Sequence, residues 1–434
     1  MSTAIIEKSF LSGSVQAPSS KSVAHRIMIC AALTRSKCYI KNVSESNDMD
    51  ATMGCLETLG AKFRRIGKDL FLDATDFVKE NDPTHYTLNC KESGTTLRVI
   101  IPICAALGLN VTFVGEGRLP YRPLDEYTNL FPKHGVNCTM GESFLPLTIS
   151  GKLSGDTFEI SPTVSSQYVT GMLLALSLLK NDATLKLTSP LVGGQYVDLT
   201  VDSMKKFCVD VEKTENSFFI KGDSTFTALP SYSEPEHGVT VEGDWSQAAF
   251  FLCAGAINGD ITVTGIDINS SQGDKAIVDI LKSFGADITT GENFVHVKKS
   301  TLKGTVIDAT DTPDLVPVVA LTAVFCLGNT EITGVERLKF KESDRLLSTC
   351  EMIKSLGGDA SYTDNSILVT GQGYLTGGNV TAYNDHRIVM SSCVGALLCE
   401  NNTVIEDAHA VNKSYKDFFD DYVSLGGKAD VNMG

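Results

Sequence analysis

The sequence predicts an α/β protein of two lobes, each built from three α/β units, and three observations carry that expectation. The first is a weak internal repeat. Six times a helical segment ends in a small-residue turn and runs into a short strand: LETLGAKF, FPKHGVNC, KKFCVDVE, KSFGADIT, KSLGGDAS and VSLGGKAD. The turn residues are Gly60, Gly135, Cys208, Gly285, Gly357 and Gly426, spaced 69 to 77 residues apart. That period is too long for a solenoid, and it leaves each unit room for two helices and several strands. Glycine after a helix end is the expected C′ residue because positive φ costs it little, and Cys208 departs from that rule.

The second observation concerns how the chain closes. The last turn lies only 8 residues from the C-terminus, so the sixth unit must take strands from elsewhere, and residues 1–19 are the obvious donor. That groups residues 1–19 with 239–434 as one lobe and leaves 20–238 as an inserted second lobe. The polar, turn-rich SYSEPEHG at 231–238 marks the boundary. Two crossing strands would link the lobes, and a cleft between them is the natural place for a ligand.

The third observation is a set of helices that are apolar nearly all round: IMICAAL (27–33), LRVIIPICAALGL (97–109), YVTGMLLALSLL (168–179), AAFFLCAGAI (248–257) and RIVMSSCVGALL (387–398). A helix without a polar face belongs in the middle of a lobe. Their N-termini carry Lys21-Ser22, Ser93-Gly94-Thr95, Ser165-Ser166-Gln167, Asp244 and Asn384-Asp385-His386-Arg387. Gathered at a cleft, such ends present free N–H groups and partial positive charge, which is an anion site. Capping alone accounts for the Ser, Thr and Asp residues. It does not account for Lys21, Arg26, Arg98 and Arg387 beside them.

Composition narrows the class. A chain of 434 residues with 42% hydrophobic and 21% charged residues has material for two substantial cores. The net charge of −15 argues against non-specific nucleic-acid binding and against an anionic membrane partner. The 12 cysteines are scattered singly, with neither a CxxC pair nor zinc spacing, so no metal is expected, and a reducing, cytoplasmic setting is the simplest reading. The first residues, MSTAIIEKSF, lack a secretory pattern, and no apolar stretch is long enough to span a bilayer.

The densest chemistry lies in Lys339-Phe340-Lys341-Glu342-Ser343-Asp344-Arg345, ahead of an apolar-periodic run through Leu346, Leu347, Cys350, Met352 and Ile353. It reads as a loop entering a helix with Ser343 as the N-cap. Carried on a helix, Lys341 and Arg345 would share a face. Taken alone, such a cluster is an ordinary solvated helix start.

Seven motifs in order change that reading. PSSKSVAHR (18–26), ESGTTLR (92–98), GEGRLPYRPL (115–124), VSSQY (164–168), TPDLVP (312–317), KESDR (341–345) and YNDHR (383–387) resemble the signatures of the 5-enolpyruvylshikimate-3-phosphate (EPSP) synthase family of enolpyruvyl transferases. The resemblance runs from Lys21 to Lys413 and implies the inside-out α/β fold of that family. There, each of the two lobes holds three βαβαββ-like repeats with buried parallel helices. It implies transfer of the enolpyruvyl group from phosphoenolpyruvate to the 5-hydroxyl of shikimate 3-phosphate, through a tetrahedral intermediate, in aromatic amino acid biosynthesis. Two phosphates and two carboxylates would have to be held by fixed cations, for which Arg supplies bidentate forks and Lys point charges.

By motif, the resemblance assigns Lys21, Ser22, Arg26, Ser165, Ser166, Gln167, Tyr196, Asp314, Arg337 and Lys341 to shikimate 3-phosphate. It assigns Lys21, Gly94, Arg122, Gln167, Arg345, Arg387 and Lys413 to phosphoenolpyruvate. Asp314 would be the base at the hydroxyl, with Glu342 and Lys21 moving the proton at the methylene. A side chain at Gly94 would block an anion approaching the helix end. Glyphosate, which occupies the phosphoenolpyruvate site in this family, is expected to inhibit. Arg98 and Arg118 read as structural ion pairs, and His386 as a core histidine fixed by Asp385. Glu92 and Arg337 stand where many members have Asn, Gly193 where many have a phosphate-binding Ser, and Val99 where some have Pro.

The expected partners are the two small substrates, with no cofactor, no nucleic acid and no membrane, and the chain is expected to act as a monomer. Substrates would draw the lobes together. The related transferase acting on UDP-N-acetylglucosamine carries a reactive Cys in the loop matching 115–124, and GEGRLPYRPL has none. A sixfold-repeat sliding clamp would need a basic inner face. A nucleotide-binding enzyme would need GxxxxGK[ST] or GxGxxG, and neither occurs.

Overall fold

Backbone pairing sorts the strands into six four-stranded sheets. The computed structural model describes residues 2–434. Each sheet belongs to one repeat, and the repeat at 85–151 shows the pattern. Strand His85–Asn89 runs parallel to Asn110–Val114 across the helix Gly94–Leu107, and a second, shorter helix, Asp125–Leu130, follows. A hairpin of Val136–Met140 and Leu147–Gly151 then completes the sheet antiparallel. The order is βαβαββ. The parallel pair requires the intervening helix, because parallel neighbours cannot be joined by a tight turn.

The chain divides into two compact units, Ser19–Val241 and Met1–Pro18 with Glu242–Gly434. Each has its own contiguous apolar core. The division falls at 241/242 rather than 238/239, because Val239–Thr240 pairs in parallel with Ile40 and Lys41 and so stays with the first unit. Besides the repeat that takes Val239–Thr240, two others take strands from distant sequence. Thr3–Glu7 lies between Thr403–Glu406 and Lys428–Asn432 and completes the sixth repeat. Leu11–Gln16 pairs with Gly259–Thr264 and opens the fourth.

In each repeat the first helix is buried almost all round. Every residue from Val23 to Ala32 is buried, as are Tyr168–Leu176 and all of His386–Ala396. Val316–Val324, apolar along its whole length, makes a sixth member that the sequence reading left out. The second helices are amphipathic. Gly194–Lys206 buries Val197, Thr200 and Met204 on one stripe and ends in Lys205 and Lys206, favourable at a helix C-terminus.

All six turn residues after these second helices have positive φ, from +64° at Cys208 to +99° at Gly60. Cys208 therefore keeps the backbone of the repeat while losing the residue that adopts it freely. All 12 cysteines are free, and Cys30, Cys104, Cys253, Cys326 and Cys393 are core residues as their apolar runs indicated. Among the described residues no helix is long and apolar enough to cross a membrane.

Candidate active site

In the unit Ser19–Val241, the N-terminal turns of the buried helices carry the expected polar residues. Ser20 caps Lys21–Leu33 and Ser93 caps Gly94–Leu107, each side chain accepting from the N–H three residues on. The Lys21 ammonium pairs with Asp48 at 3.0 Å, a partner that no sequence pattern points to. Arg26 is buried, and four bonds occupy its guanidinium. Nε donates to Thr200 Oγ1 at 2.8 Å, Nη1 to the Ser22 carbonyl at 2.6 Å, and Nη2 to Thr170 Oγ1 and the Tyr196 carbonyl at 3.2 and 2.8 Å. It ties Ser22 and Tyr196 together and keeps one Nη1 N–H in hand.

Gln167 is oriented from both ends. Its Oε1 accepts from Arg98 Nη1 at 3.0 Å, and its Nε2 donates to Thr95 Oγ1 at 2.9 Å. Arg98 makes no ion pair among the described residues. It bonds the amide and the Pro123 carbonyl, with its guanidinium carbon 5.3 Å from the Tyr168 ring centre. The expectation of a structural ion pair is corrected accordingly, and Arg118 is exposed. The Ser165 hydroxyl accepts from the Gln167 N–H at 3.3 Å.

Gly94 is buried under Arg122. A Cβ built on it would meet the guanidinium, with Cζ at 2.7 Å. The departures have local causes. Gly193 sits at φ +70°, where a Ser would be strained. Glu92 lays its carboxylate over Gly117, whose added Cβ would lie 2.6 Å from Oε2.

In the other unit, Asp314 is the node. Its Oδ1 accepts from Lys341 Nζ at 3.1 Å and Arg345 Nη1 at 2.8 Å, and its Oδ2 from Arg387 Nη2 at 3.0 Å. Arg387 Nη1 also donates to the Asp314 carbonyl at 2.9 Å. Arg345 is almost wholly buried and bonds Glu342 at 2.7 Å and Asp385 at 2.8 Å as well. Burial alone would raise the Asp314 carboxyl, but Arg387, Lys341 and Arg345 outweigh it and hold it well below the usual range. Lys413 donates to the Asn384 carbonyl at 2.7 Å, and Arg337 to the Thr310 carbonyl at 2.6 Å.

The structure departs from three local expectations. The helix starts at Arg345 with Asp344 as its N-cap, accepting from the N–H groups of Leu346 and Leu347. Ser343 instead donates to Asp385 at 2.9 Å. Lys341 thus lies outside the helix and meets Arg345 through Asp314, not along a shared face. Asp385 does not fix His386 by a hydrogen bond, since His386 Nδ1 lies 3.8 Å from Asp385 Oδ1. Asp385 caps the His386–Ala396 helix and accepts from Arg345, whose guanidinium is the stronger competitor for a fully buried carboxylate.

Within each unit, guanidinium forks and helix N-termini of this kind favour an anion. The sequence matches the family described as EPSP synthase (3-phosphoshikimate 1-carboxyvinyltransferase) over residues 6–422. The chain belongs to the EPSP synthase family. The 3-phosphoshikimate 1-carboxyvinyltransferase of Clostridium novyi (strain NT) is 37% identical over 97% of this chain and 96% of its own. That of Clostridium kluyveri is 40% identical over the same shares. An EPSP synthase structure from Acinetobacter baumannii superposes over all of both chains with a TM-score of 0.82 at 23% identity, so the EPSP synthase fold is shared.

Proposed function

We propose that the residues described above bind shikimate 3-phosphate and phosphoenolpyruvate and carry the transfer between them. The enzyme moves the enolpyruvyl group of phosphoenolpyruvate to the 5-hydroxyl of shikimate 3-phosphate and releases phosphate, in aromatic amino acid biosynthesis. The observation that carries the residue assignment is the node at Asp314, where Lys341, Arg345 and Arg387 converge on one carboxylate.

Lys21, Ser22, Ser165, Ser166, Gln167, Tyr196, Arg337 and Lys341 hold shikimate 3-phosphate. Arg26 acts by holding Ser22 and Tyr196 in place. Lys21, Gly94, Arg122, Gln167, Arg345, Arg387 and Lys413 hold phosphoenolpyruvate, with the Gly94 helix end accepting the anion. Asp314 takes the 5-hydroxyl proton while that oxygen attacks C2, and Glu342 with Lys21 moves the proton at the methylene. The ion pairs supply an order of events. While three cations hold Asp314 it is a poor base. Turning Arg345 and Arg387 onto the substrate's charges removes that pull, so arrival of the second substrate raises the basicity of Asp314 where it is needed.

The test is phosphate release with each substrate omitted in turn. Release should need both and fall about 100-fold or more in Asp314→Asn and in Glu342→Gln, as for loss of a general acid or base. Undiminished release in both would reject the assignment. Glyphosate should inhibit the wild type and do so far less in Gly94→Ala, because the added methyl displaces Arg122. Equal inhibition of the two proteins would show that the inhibitor does not reach this helix end.

A further inference from the structure

The transfer scheme makes no use of the buried carboxyl of Asp274. Asp274, in the turn Gly273–Ala276, is only 4% exposed. Its Oδ2 takes a hydrogen bond from the hydroxyl of Ser246, in the helix Trp245–Asn258. Its Oδ1 is buried with no hydrogen-bond partner among the described residues. The charges that act on it are those of Asp314, Arg387 and Asp244.

The lysines of its own turn and of the following helix are engaged elsewhere. Lys275, its neighbour in the turn, directs its ammonium to the Ser270 carbonyl at 2.9 Å. In the following helix, Asp279 and Lys282 are exposed at the surface and 4.0 Å from each other. Arg387 gives both terminal nitrogens to Asp314 and keeps Nε buried without a bond. An ionised carboxylate in an interior needs several donors, and Asp274 has one hydroxyl in the company of two other acids.

We propose that Asp274 is a positioning residue for phosphoenolpyruvate: standing neutral near Arg387, it leaves that guanidinium's charge to the substrate, and on ionising it withdraws it. The proposal rests on the assignment of Arg387 to phosphoenolpyruvate. Burial first, and then the Asp314 charge, push the Asp274 carboxyl up to about 7, against the pull of Arg387. Proton loss therefore falls near neutral pH and adds a second negative charge beside the one guanidinium. Affinity for an anionic substrate must then drop as pH rises.

The experiment measures kcat/KM for phosphoenolpyruvate, at saturating shikimate 3-phosphate, from about pH 6 to about pH 9, where it reports ionisations of the enzyme–shikimate 3-phosphate complex and of free phosphoenolpyruvate. The substrate's own ionisation is common to every variant and cancels in the comparison. Wild type should lose several-fold across neutral pH, and Asp274→Asn should stay within about twofold of its neutral value, because its amide keeps the Ser246 contact and carries no charge. Ser246→Ala removes the one donor to the carboxylate and should move the fall to higher pH. A folded Asp274→Asn protein with the wild-type profile overturns the proposal. If that variant does not fold, an unmoved profile in Ser246→Ala overturns it. Arg387→Gln separates the two readings. An unchanged KM for phosphoenolpyruvate in that variant would mean that the Arg387 assignment has failed. A raised KM together with an unmoved Asp274→Asn profile would reject the role of Asp274 alone.

Discussion

Asp314, Glu342 and Asp385 crowd around Arg345, yet their exposure separates their duties. Asp385 is fully buried and takes two bonds from Arg345, one from Ser343 and one from its own helix, so its work is architectural. Asp314 and Glu342 keep about a fifth of their side chains open, as the proton exchange proposed for them requires. Burial would raise the Asp385 carboxyl, but Arg345 and then His386 draw it down to about 2. The sign of the linkage follows. A depressed carboxyl stabilises the fold fully above its unfolded value of 3.8, and that contribution is lost as pH falls through about 2. Asp385→Asn should therefore cost about 3 kcal/mol at neutral pH by leaving a buried guanidinium short of one partner. The difference from wild type should shrink in urea melts taken between about pH 4 and about pH 2. A difference independent of pH would mean that packing, not charge, holds the residue.

At the scale of elements, the six helix-to-strand turns share one backbone and five of them share one residue. Cys208 at φ +64° bears a cost of roughly 1–2 kcal/mol that glycine avoids. It is exposed, so little packing is lost on replacing it. Cys208→Gly should raise the urea midpoint by an amount worth about 0.5–1 kcal/mol, after the greater chain entropy of glycine is subtracted. An unchanged or lowered midpoint would show that the side chain contributes more than its strain removes. The buried helices follow a different rule. Val316–Val324 has no polar face at all, which marks it as central, but its β-branched run reads equally as a buried strand until its neighbours are known.

At the scale of the molecule, a chain of net charge −15 gathers cations where helices begin. The ends of the chain belong to one sheet. Thr3–Glu7 is an inner strand beside Lys428–Asn432, and the backbone of Ser2 lies within 4 Å of a Cβ built on Gly434. The termini can therefore be joined. A circular permutant that links Gly434 to Ser2 and opens the exposed hairpin turn between Glu292 and Asn293 should fold and keep activity. Deleting residues 2–7 instead removes an inner strand and should abolish folding of that unit. A stable deletion would show that the sheet tolerates an open inner edge.

The sequence by itself determined what local chemistry can encode. The six-fold period, the all-apolar helices and the caps at Ser93, Asp244 and Asp385 are readable because propensity and burial act within a few residues. The motifs likewise identified the cations at 21, 122, 345 and 387. Tertiary structure decided everything that depends on which groups compete. No spacing reveals that Asp48 answers Lys21, that Arg98 serves Gln167 instead of an acid, or that Asp385 prefers Arg345 over its neighbour His386. Nor does it reveal that Asp274 is buried within reach of the charges of Asp314 and Arg387. These partners are 27 to 113 residues from the groups they serve or act on, apart from the neighbouring pair at 385 and 386. Their pairing is set by electrostatics in a desolvated interior, where the strongest available donor wins regardless of its distance along the chain.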